Sequence, residues 1–436
     1  MLMSLQLIYG PSGSGKSYTL YKKIIEQSIR EPDREFIVIV PEQFTMQTQR
    51  ELVELHPNRG ILNIDVQSFL RLAWRIFEEV GVDTHTVLED TGKNLLLRRV
   101  ASRQKNDLTV LGRNFRKPGY ISQVKSIISE LKQYDVSLEE LDEQLRSGKK
   151  DALSYKLQDI RNLYEGFQEE LQGKYITSEE ILEELCYVVK KSEILKGCVV
   201  ALDGFTGFTP IQNKLLRELM QTAEKIYVTV TLDAWEDPMK KVSMHKLSYL
   251  SKKTIQQLAG AAKECGCMLE KPEVLGKEGS IRFRSAPALR FLERHLFRPG
   301  NQIYEAQDSQ KLERELSLHV ARDAKAEAEF AARTIWHLVR EENLRYRDIA
   351  VITGDMESFG DHMKKELQQK GIPCFIDRTR KLLLNPLVEF LRAALQIAAK
   401  SFRYESMFRY LRTGLAGLKK DEIDRLENYV LANGIN

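Results

Sequence analysis

The sequence predicts an α/β protein with parallel sheets, in two lobes, the first carrying a phosphate-binding loop and an all-helical insertion. Three observations predict it. The chain opens with a short apolar strand, a glycine-rich loop and a helix. Unbroken β-rich apolar runs then alternate with helical stretches, the pattern of strands buried on both faces of a parallel sheet. That alternation stops near Asp83, resumes at Cys198 and starts afresh near Leu316.

The opening reads Leu5 to Tyr9 as a strand, then Gly10-Pro-Ser-Gly-Ser-Gly-Lys-Ser17, then a helix from Tyr18 to about Ile29. This is G-x-x-x-x-G-K-S in the strand-to-helix context that a P-loop needs. Gly10, Gly13 and Gly15 let the backbone curl so that successive N–H groups face inward, while the helix points its N-terminus at the same spot. A polyphosphate is the natural occupant, cradled by Gly10, Pro11, Ser12, Gly13, Ser14 and Gly15. Lys16 reaches the β- and γ-phosphates as a point charge, and the Ser17 hydroxyl holds Mg²⁺.

Phe36-Ile-Val-Ile-Val40 follows as a buried strand, then a helix from Gln43 to Leu55, a strand from Ile61 to Val66, and a helix opened by Ser68 and running to Val80. From Asp83 to Lys191 no convincing strand occurs, and helices are expected at Asn94–Arg103, Tyr120–Tyr134 and Tyr155–Leu171. Such a helical block inside an α/β frame reads as an inserted subdomain. The sheet resumes at Cys198-Val-Val-Ala-Leu202 and meets Asp203-Gly204. An apolar strand ending in Asp has the form of a Walker B site, its carboxylate holding Mg²⁺ through water, and the P-loop upstream raises that reading above an ordinary Asp-Gly turn. A helix to Ala223 and a strand from Lys225 to Leu232 complete the first lobe. Residues 237–310 are polar and irregular, with a helix expected near Ser248–Cys265.

The second lobe reads as strands at Ser317–Val320, Asp348–Thr353 and Cys374–Ile376, with helices at Ala324–Arg340, Ser358–Lys370 and Leu387–Lys400 and a last one at Lys420–Leu431. It has no phosphate loop of its own, so a lobe closing on the nucleotide of the first is expected. Domains are accordingly expected at 1–82 with 192–310, at 83–191, at 311–400, and at 401–436 as the start of a further helical subdomain, in a chain expected to be part of a longer protein.

The 436 residues are 42% apolar and 29% charged with a net charge of +4, the profile of a globular protein without a transmembrane span. The start lacks the basic and apolar regions of a signal peptide, so a cytoplasmic protein without a membrane partner is expected. The 5 cysteines are scattered, which fits a reducing compartment; Cys265-Gly-Cys267 lacks a second pair at metal-ligand spacing and reads as structural.

Several segments resemble UvrD-type superfamily 1 helicases. Tyr346-Arg-Asp-Ile-Ala-Val-Ile-Thr353, Gly371-Ile-Pro-Cys-Phe-Ile-Asp377 and Asn385-Pro-Leu-Val-Glu-Phe-Leu391 resemble the opening of their second RecA-like domain. The P-loop with Val40-Pro-Glu-Gln-Phe44, Asp65-Val-Gln-Ser-Phe69 and Asp203-Gly-Phe-Thr-Gly-Phe-Thr-Pro-Ile-Gln212 resembles the first, and the combination is similar to the AddB family, the B subunits of AddAB helicase-nucleases. The resemblance implies two RecA-like domains, ATP and Mg²⁺ as ligands, an AddA partner subunit, and work on double-stranded and single-stranded DNA in break repair by recombination. It also implies Chi-type recognition on the unwound strand, with Gln43, Phe44, Ser68 and Phe69 matching segments that touch single-stranded DNA; either phenylalanine could instead be core. A C-terminal nuclease with an iron–sulfur cluster, also typical of the family, is not in this sequence. Ile376-Asp-Arg378 echoes a nuclease motif but supplies a single carboxylate and lacks a downstream Gln-x-x-x-Tyr, so it reads as structural.

The departures from the family pattern bear on mechanism. Motors of this class carry Asp-Glu where this chain has Asp203-Gly204, and an arginine where it has Gly354. No adenine-contacting glutamine precedes Gly10, and Asp233-Ala-Trp235 replaces a Gly-Asp motif. Losing water positioning and charge stabilisation costs orders of magnitude in phosphoryl transfer. Nucleotide binding with weak or no hydrolysis is therefore expected. An active superfamily 1 motor is the alternative, and a small-molecule P-loop kinase is disfavoured by the second lobe and the helical block.

Overall fold

The computed structural model describes residues 3–82, 86–104, 107–112, 118–147, 151–298, 300–376, 382, 385–399 and 402–435. It divides into two compact units, one reaching to Leu316 and the other beginning at Ser317.

In the first unit the strands β1 (Ser4–Gly10), β2 (Phe36–Ile39), β3 (Ile64–Gln67), β6 (Val199–Leu202) and β7 (Lys225–Thr231) form one parallel sheet in the order β3-β2-β6-β7-β1. Two short strands, β8 (Met268–Leu269) and β9 (Glu273–Val274), extend it in parallel along the free side of β1. The strands lack polar alternation because both faces are covered. Leu5, Leu7 and Tyr9 of β1, Ile37 and Ile39 of β2, and Val200 and Leu202 of β6 enter one core with α3 (Phe69–Val80), α8 (Ser178–Val188), α9 (Pro210–Met220) and α10 (Tyr249–Glu264). Ile8, Phe36, Val38, Val199, Ala201 and Tyr227 point the other way, onto α1 (Lys16–Arg30) and α2 (Thr45–Leu55). The period-2 alternation of a strand thus assigns alternate residues to two separate cores.

The block between β3 and β6 differs from the all-helical expectation in one respect. Its helices α4 (Asp90–Arg103), α5 (Pro118–Gln133), α6 (Leu138–Ser147) and α7 (Ala152–Leu171) pack around a separate core containing Leu97, Val124, Ile128, Leu163 and Phe167. The chain enters and leaves, however, through paired parallel strands β4 (Thr86–Leu88) and β5 (Tyr175–Thr177). Each has three residues, too short for a periodic signal, and their pairing spans the whole block. Buried Lys93 of α4 meets Glu179 of α8 at 2.7 Å, and Lys132 of α5 meets Glu180, tying the block to the sheet-bearing part.

Inside the block, the fully buried Asp159 accepts bonds from the backbone N–H groups of Thr109 (2.9 Å), Val110 (2.8 Å) and Leu111 (2.8 Å). The Thr109 hydroxyl adds a fourth at 3.2 Å.

The second unit has the expected helices, α13 (Ala324–Arg340), α14 (Met356–Gln369), α15 (Pro386–Ala399) and α17 (Lys420–Ala432), together with α16 (Tyr404–Leu411). Ala328, Ala332, Ile335, Met363, Leu367 and Ile372 form its larger core. The segments Ser317–Val320, Ile349–Thr353 and Cys374–Ile376 belong to no ladder among the described residues, and Leu318, Val320, Ile352 and Phe375 are more than nine-tenths exposed. Strand propensity reports a fit to a pleated, half-buried surface, and a ladder also needs a neighbour. Asp377 and Arg378, of the segment that echoes a nuclease motif, lie outside the described residues.

Asp159→Asn replaces one accepting oxygen with a donor that faces backbone N–H groups. The expected outcome is a local loss of about 2 kcal/mol, read as roughly 30-fold faster amide exchange over residues 107–112.

Candidate nucleotide and nucleic-acid site

The sheet's parallel order brings the C-terminal ends of β2, β3, β6, β7 and β1 to one edge, where ligands of open α/β sheets bind. At that edge β1 ends in Gly10 and α1 begins at Lys16. Gly13 (φ 74°) and Gly15 (φ 87°) occupy the left-handed region that favours glycine. Gly15 is the N-cap of α1 and offers no side chain to it, so the first turn's N–H groups stay free for an anion.

Lys16 lies over this loop, its Nζ donating to the carbonyls of Gly10 (3.1 Å) and Pro11 (2.9 Å). Burial pulls its pKa down to about 8; the nearby Arg282 acts in the same direction, and the carboxylates of Asp203 and Glu293 oppose them. The amine is thus held beside the loop by neutral carbonyls. Ser17, the second residue of α1, is half-buried. Ser14 is buried and its hydroxyl has no hydrogen-bond partner. Free N–H groups, a hydroxyl lacking a partner and a cation on one loop form a donor set suited to a polyphosphate.

Asp203 follows β6 and is buried. Tyr21 of α1 donates to its Oδ2 at 2.7 Å, and Thr229 of β7 donates to its Oδ1 at 2.5 Å. Burial, and then the Asp203 charge, push the Tyr21 phenol upward, so it stays a neutral donor. With both oxygens engaged, this carboxylate suits a metal held through water better than one bound directly. Gly204 is exposed at φ 77°, and the nearest atoms to a methyl there would be Pro41 Cδ at 3.6 Å and Phe44 Cδ2 at 4.0 Å. Space exists for a side chain, and backbone conformation disfavours one.

Around Asp233 and Trp235 gather charged groups that no motif signals, Glu236, Glu293, Arg294 and Arg298. Asp233 accepts from Arg298 at 2.6 Å, and Trp235 lies beneath the guanidinium groups of Arg294 (5.2 Å) and Arg298 (6.0 Å). The Glu293 carboxyl is raised by burial and by Asp233. Asp233, Glu236, Glu293 and Arg298 share a cleft of about 730 Å³ with Pro11 and Ser12 of the loop. Residues 237–298 carry no motif that signals this, since their placement depends on β8 and β9 pairing with β1.

The four residues matched to DNA-contacting segments occupy the same edge. Gln43 and Phe44, on the turn Glu42–Phe44 after β2, are exposed. The Ser68 hydroxyl caps α3 by accepting from Arg71 N at 3.3 Å, and Phe69 is buried with its ring 5.4 Å from that of Phe205. So Gln43 and Phe44 present side chains to solvent, while Ser68 and Phe69 shape the surface from beneath. Arg71, half-exposed and paired with Glu42 at 3.1 Å, lies beside them. Gly354 belongs to the second unit, in an exposed turn with nothing within 4 Å of where a methyl would stand.

Among the described residues no group of three or more His, Cys, Asp or Glu is placed to hold a metal ion, and no helix is long and apolar enough to cross a membrane. Burial pushes the Cys186 and Cys198 thiols up to about 12, so both are packing residues.

Comparison with known proteins places this geometry in a family. Residues 7–293 match the family described as "ADDB, N-terminal", and residues 284–434 match the UvrD-like helicase C-terminal domain. A relative from Lachnoclostridium phytofermentans, named as the B subunit of an ATP-dependent helicase/deoxyribonuclease, is 46% identical over 99% of this chain and 38% of its own length. Relatives of the same name from Clostridium tetani and Clostridium novyi are each 36% identical over 99% of this chain and 37% of theirs. The chain therefore spans little more than a third of the curated relatives it matches. With about two-thirds of its length matched by the N-terminal family and the rest by a UvrD-like helicase domain, the chain belongs to the AddB family.

Proposed function

We propose that this chain is the N-terminal, helicase-like part of the B subunit of an ATP-dependent helicase/deoxyribonuclease, binding Mg-ATP at Gly10–Ser17 and single-stranded DNA beside it, with weak or no motor activity of its own. Residues 1–82 and 192–310 form its first RecA-like domain, 83–191 the inserted subdomain, 311–400 the start of the second RecA-like domain, and 401–436 the start of a further helical part. In the whole protein the partner is an AddA-type subunit that drives translocation, and the task is processing of double-strand breaks in the cytoplasm, with any iron–sulfur cluster held outside this chain.

The observation that carries the reading is Gly204. Motors of the helicase class that this chain resembles carry a carboxylate directly after the metal-binding aspartate to orient water, and here that position has a left-handed backbone on which glutamate is strained. Lys16 and the loop N–H groups are the proposed phosphate ligands. Ser17 and Asp203 would hold Mg²⁺, which neutralises phosphate charge. The exposed Gln43 and Phe44 offer the strand an amide and an aromatic face. A half-buried Glu293 near Lys16 favours an active motor, as a substitute base.

Binding of MgATPγS and of single-stranded DNA, with ATP turnover, tests this reading. Lys16→Ala is expected to weaken nucleotide binding by at least about tenfold. Turnover is expected to stay near background with or without DNA, and DNA binding to weaken steeply with salt. Brisk DNA-stimulated turnover would defeat the degraded-motor reading, and no DNA affinity at low salt would defeat the scaffold.

Because Lys16 titrates near 8, its protonated, phosphate-binding form falls from about nine-tenths at pH 7 to about one-tenth at pH 9. Nucleotide affinity is expected to drop about tenfold over that interval, whereas a lysine of ordinary pKa would leave the titration flat. Gly204→Glu is expected to cost about 1 kcal/mol of stability and to leave turnover at background, measured by thermal unfolding and phosphate release.

A further inference from the structure

The segment that crosses the P-loop from outside is unlike the other neighbours of the sheet edge. After β9 pairs with Ile8 and Tyr9, Leu275 N donates to Tyr9 O at 2.8 Å, and Arg282 N donates to Gly13 O at 3.2 Å. Leu275–Arg284 is thereby strapped over the loop at both ends. The fit leaves no room for side chains. A methyl on Gly10 would lie 2.7 Å from Leu275 O, and one on Gly13 2.6 Å from Ser280 Oγ. On the strap, a methyl on Gly276 would lie 2.9 Å from Pro11 Cδ.

Ser280 is 1% exposed, and its hydroxyl has no hydrogen-bond partner. The Ser14 hydroxyl, 2% exposed on the facing loop, has none either. Two buried O–H groups without partners, one on the anion-binding loop and one on the strap packed against it, are costly and rare in folded proteins. The Arg282 side chain leaves the strap near enough to Lys16 to depress it. The loop and strap together therefore carry a surplus of donors and positive charge.

We propose that Leu275–Arg284 is the second wall of the nucleotide's phosphate site, with the Ser280 hydroxyl donating directly to a phosphate oxygen. This rests on the P-loop reading above and adds to it a ligand from more than 260 residues downstream of the loop. When polyphosphate enters, Lys16 exchanges the carbonyls of Gly10 and Pro11 for phosphate oxygens, and Ser14 and Ser280 gain the acceptors they lack. Nucleotide occupancy is thus felt by the strap, which runs on into α11 (Pro287–His295) with Glu293 on it.

The test compares Ser280→Ala with the parent chain. The variant is expected to bind MgATPγS about tenfold more weakly, the loss of one hydrogen bond to a charged group. Without nucleotide it is expected to unfold at the same temperature as the parent or higher, since it loses only a buried hydroxyl with no partner. In the parent, amide exchange over residues 275–284 is expected to slow when MgATPγS is added. Unchanged affinity in Ser280→Ala, or a marked fall in its unfolding temperature without nucleotide, overturns the proposal and leaves the P-loop reading standing if Lys16→Ala still loses binding. Failure of the parent itself to bind MgATPγS overturns both.

Discussion

The parallel pairing of β1 is the interaction on which the rest depends. On one side it lies in register with β7, Ser4 opposite Lys225 through Gly10 opposite Thr231, and on the other with β8 and β9. Strands aligned in this way deliver their C-terminal ends to one edge, so a loop at residues 10–17, a carboxylate at 203 and a strap at 275–284 meet despite their separation in the chain. The hydroxyls of Thr229, on the neighbouring strand, and of Tyr21 on α1 together hold the Asp203 carboxylate. Without the β1–β7 ladder there is a glycine-rich turn and a strand-end aspartate, and no site.

Positive φ at a few glycines shapes the loops at that edge. At Gly13 and Gly15 it turns amides inward and provides for an anion. At Gly204 it disfavours any side chain larger than hydrogen directly after Asp203. The same backbone property thus recurs in both loops at the strand ends, where it admits glycine and strains larger residues. Both oxygens of Asp203, between these loops in the chain, already accept hydrogen bonds from neutral hydroxyls.

The helical block and the second unit show two ways in which local signals understate tertiary structure. Lys93 and Lys132 are lysines on apparently ordinary amphipathic helices, and their burial against Glu179 and Glu180 comes from a neighbouring part of the chain. Ile352 and Phe375 carry a strand signal and yet stand exposed, because a ladder is a property of two segments. The exposed Phe44 and the buried Phe69 make the same point at the strand-end edge: one aromatic each, at equivalent strand ends, with opposite surroundings.

By itself the sequence determined the α/β class, the five longer strands of the main sheet, most of the helices around them, and the P-loop motif with a strand-end Asp203. These follow from period, glycine placement and residue type, which act within a few residues of one another. Tertiary structure alone decided that β4 and β5 form a neck to the helical block, that Tyr21 and Thr229 hold Asp203, and that Ser68 and Phe69 lie beneath the surface Gln43 and Phe44 present. It alone placed Ser280 against Gly13. Burial, register and long-range hydrogen bonds set those features, and none of them is a function of neighbouring residues in the chain.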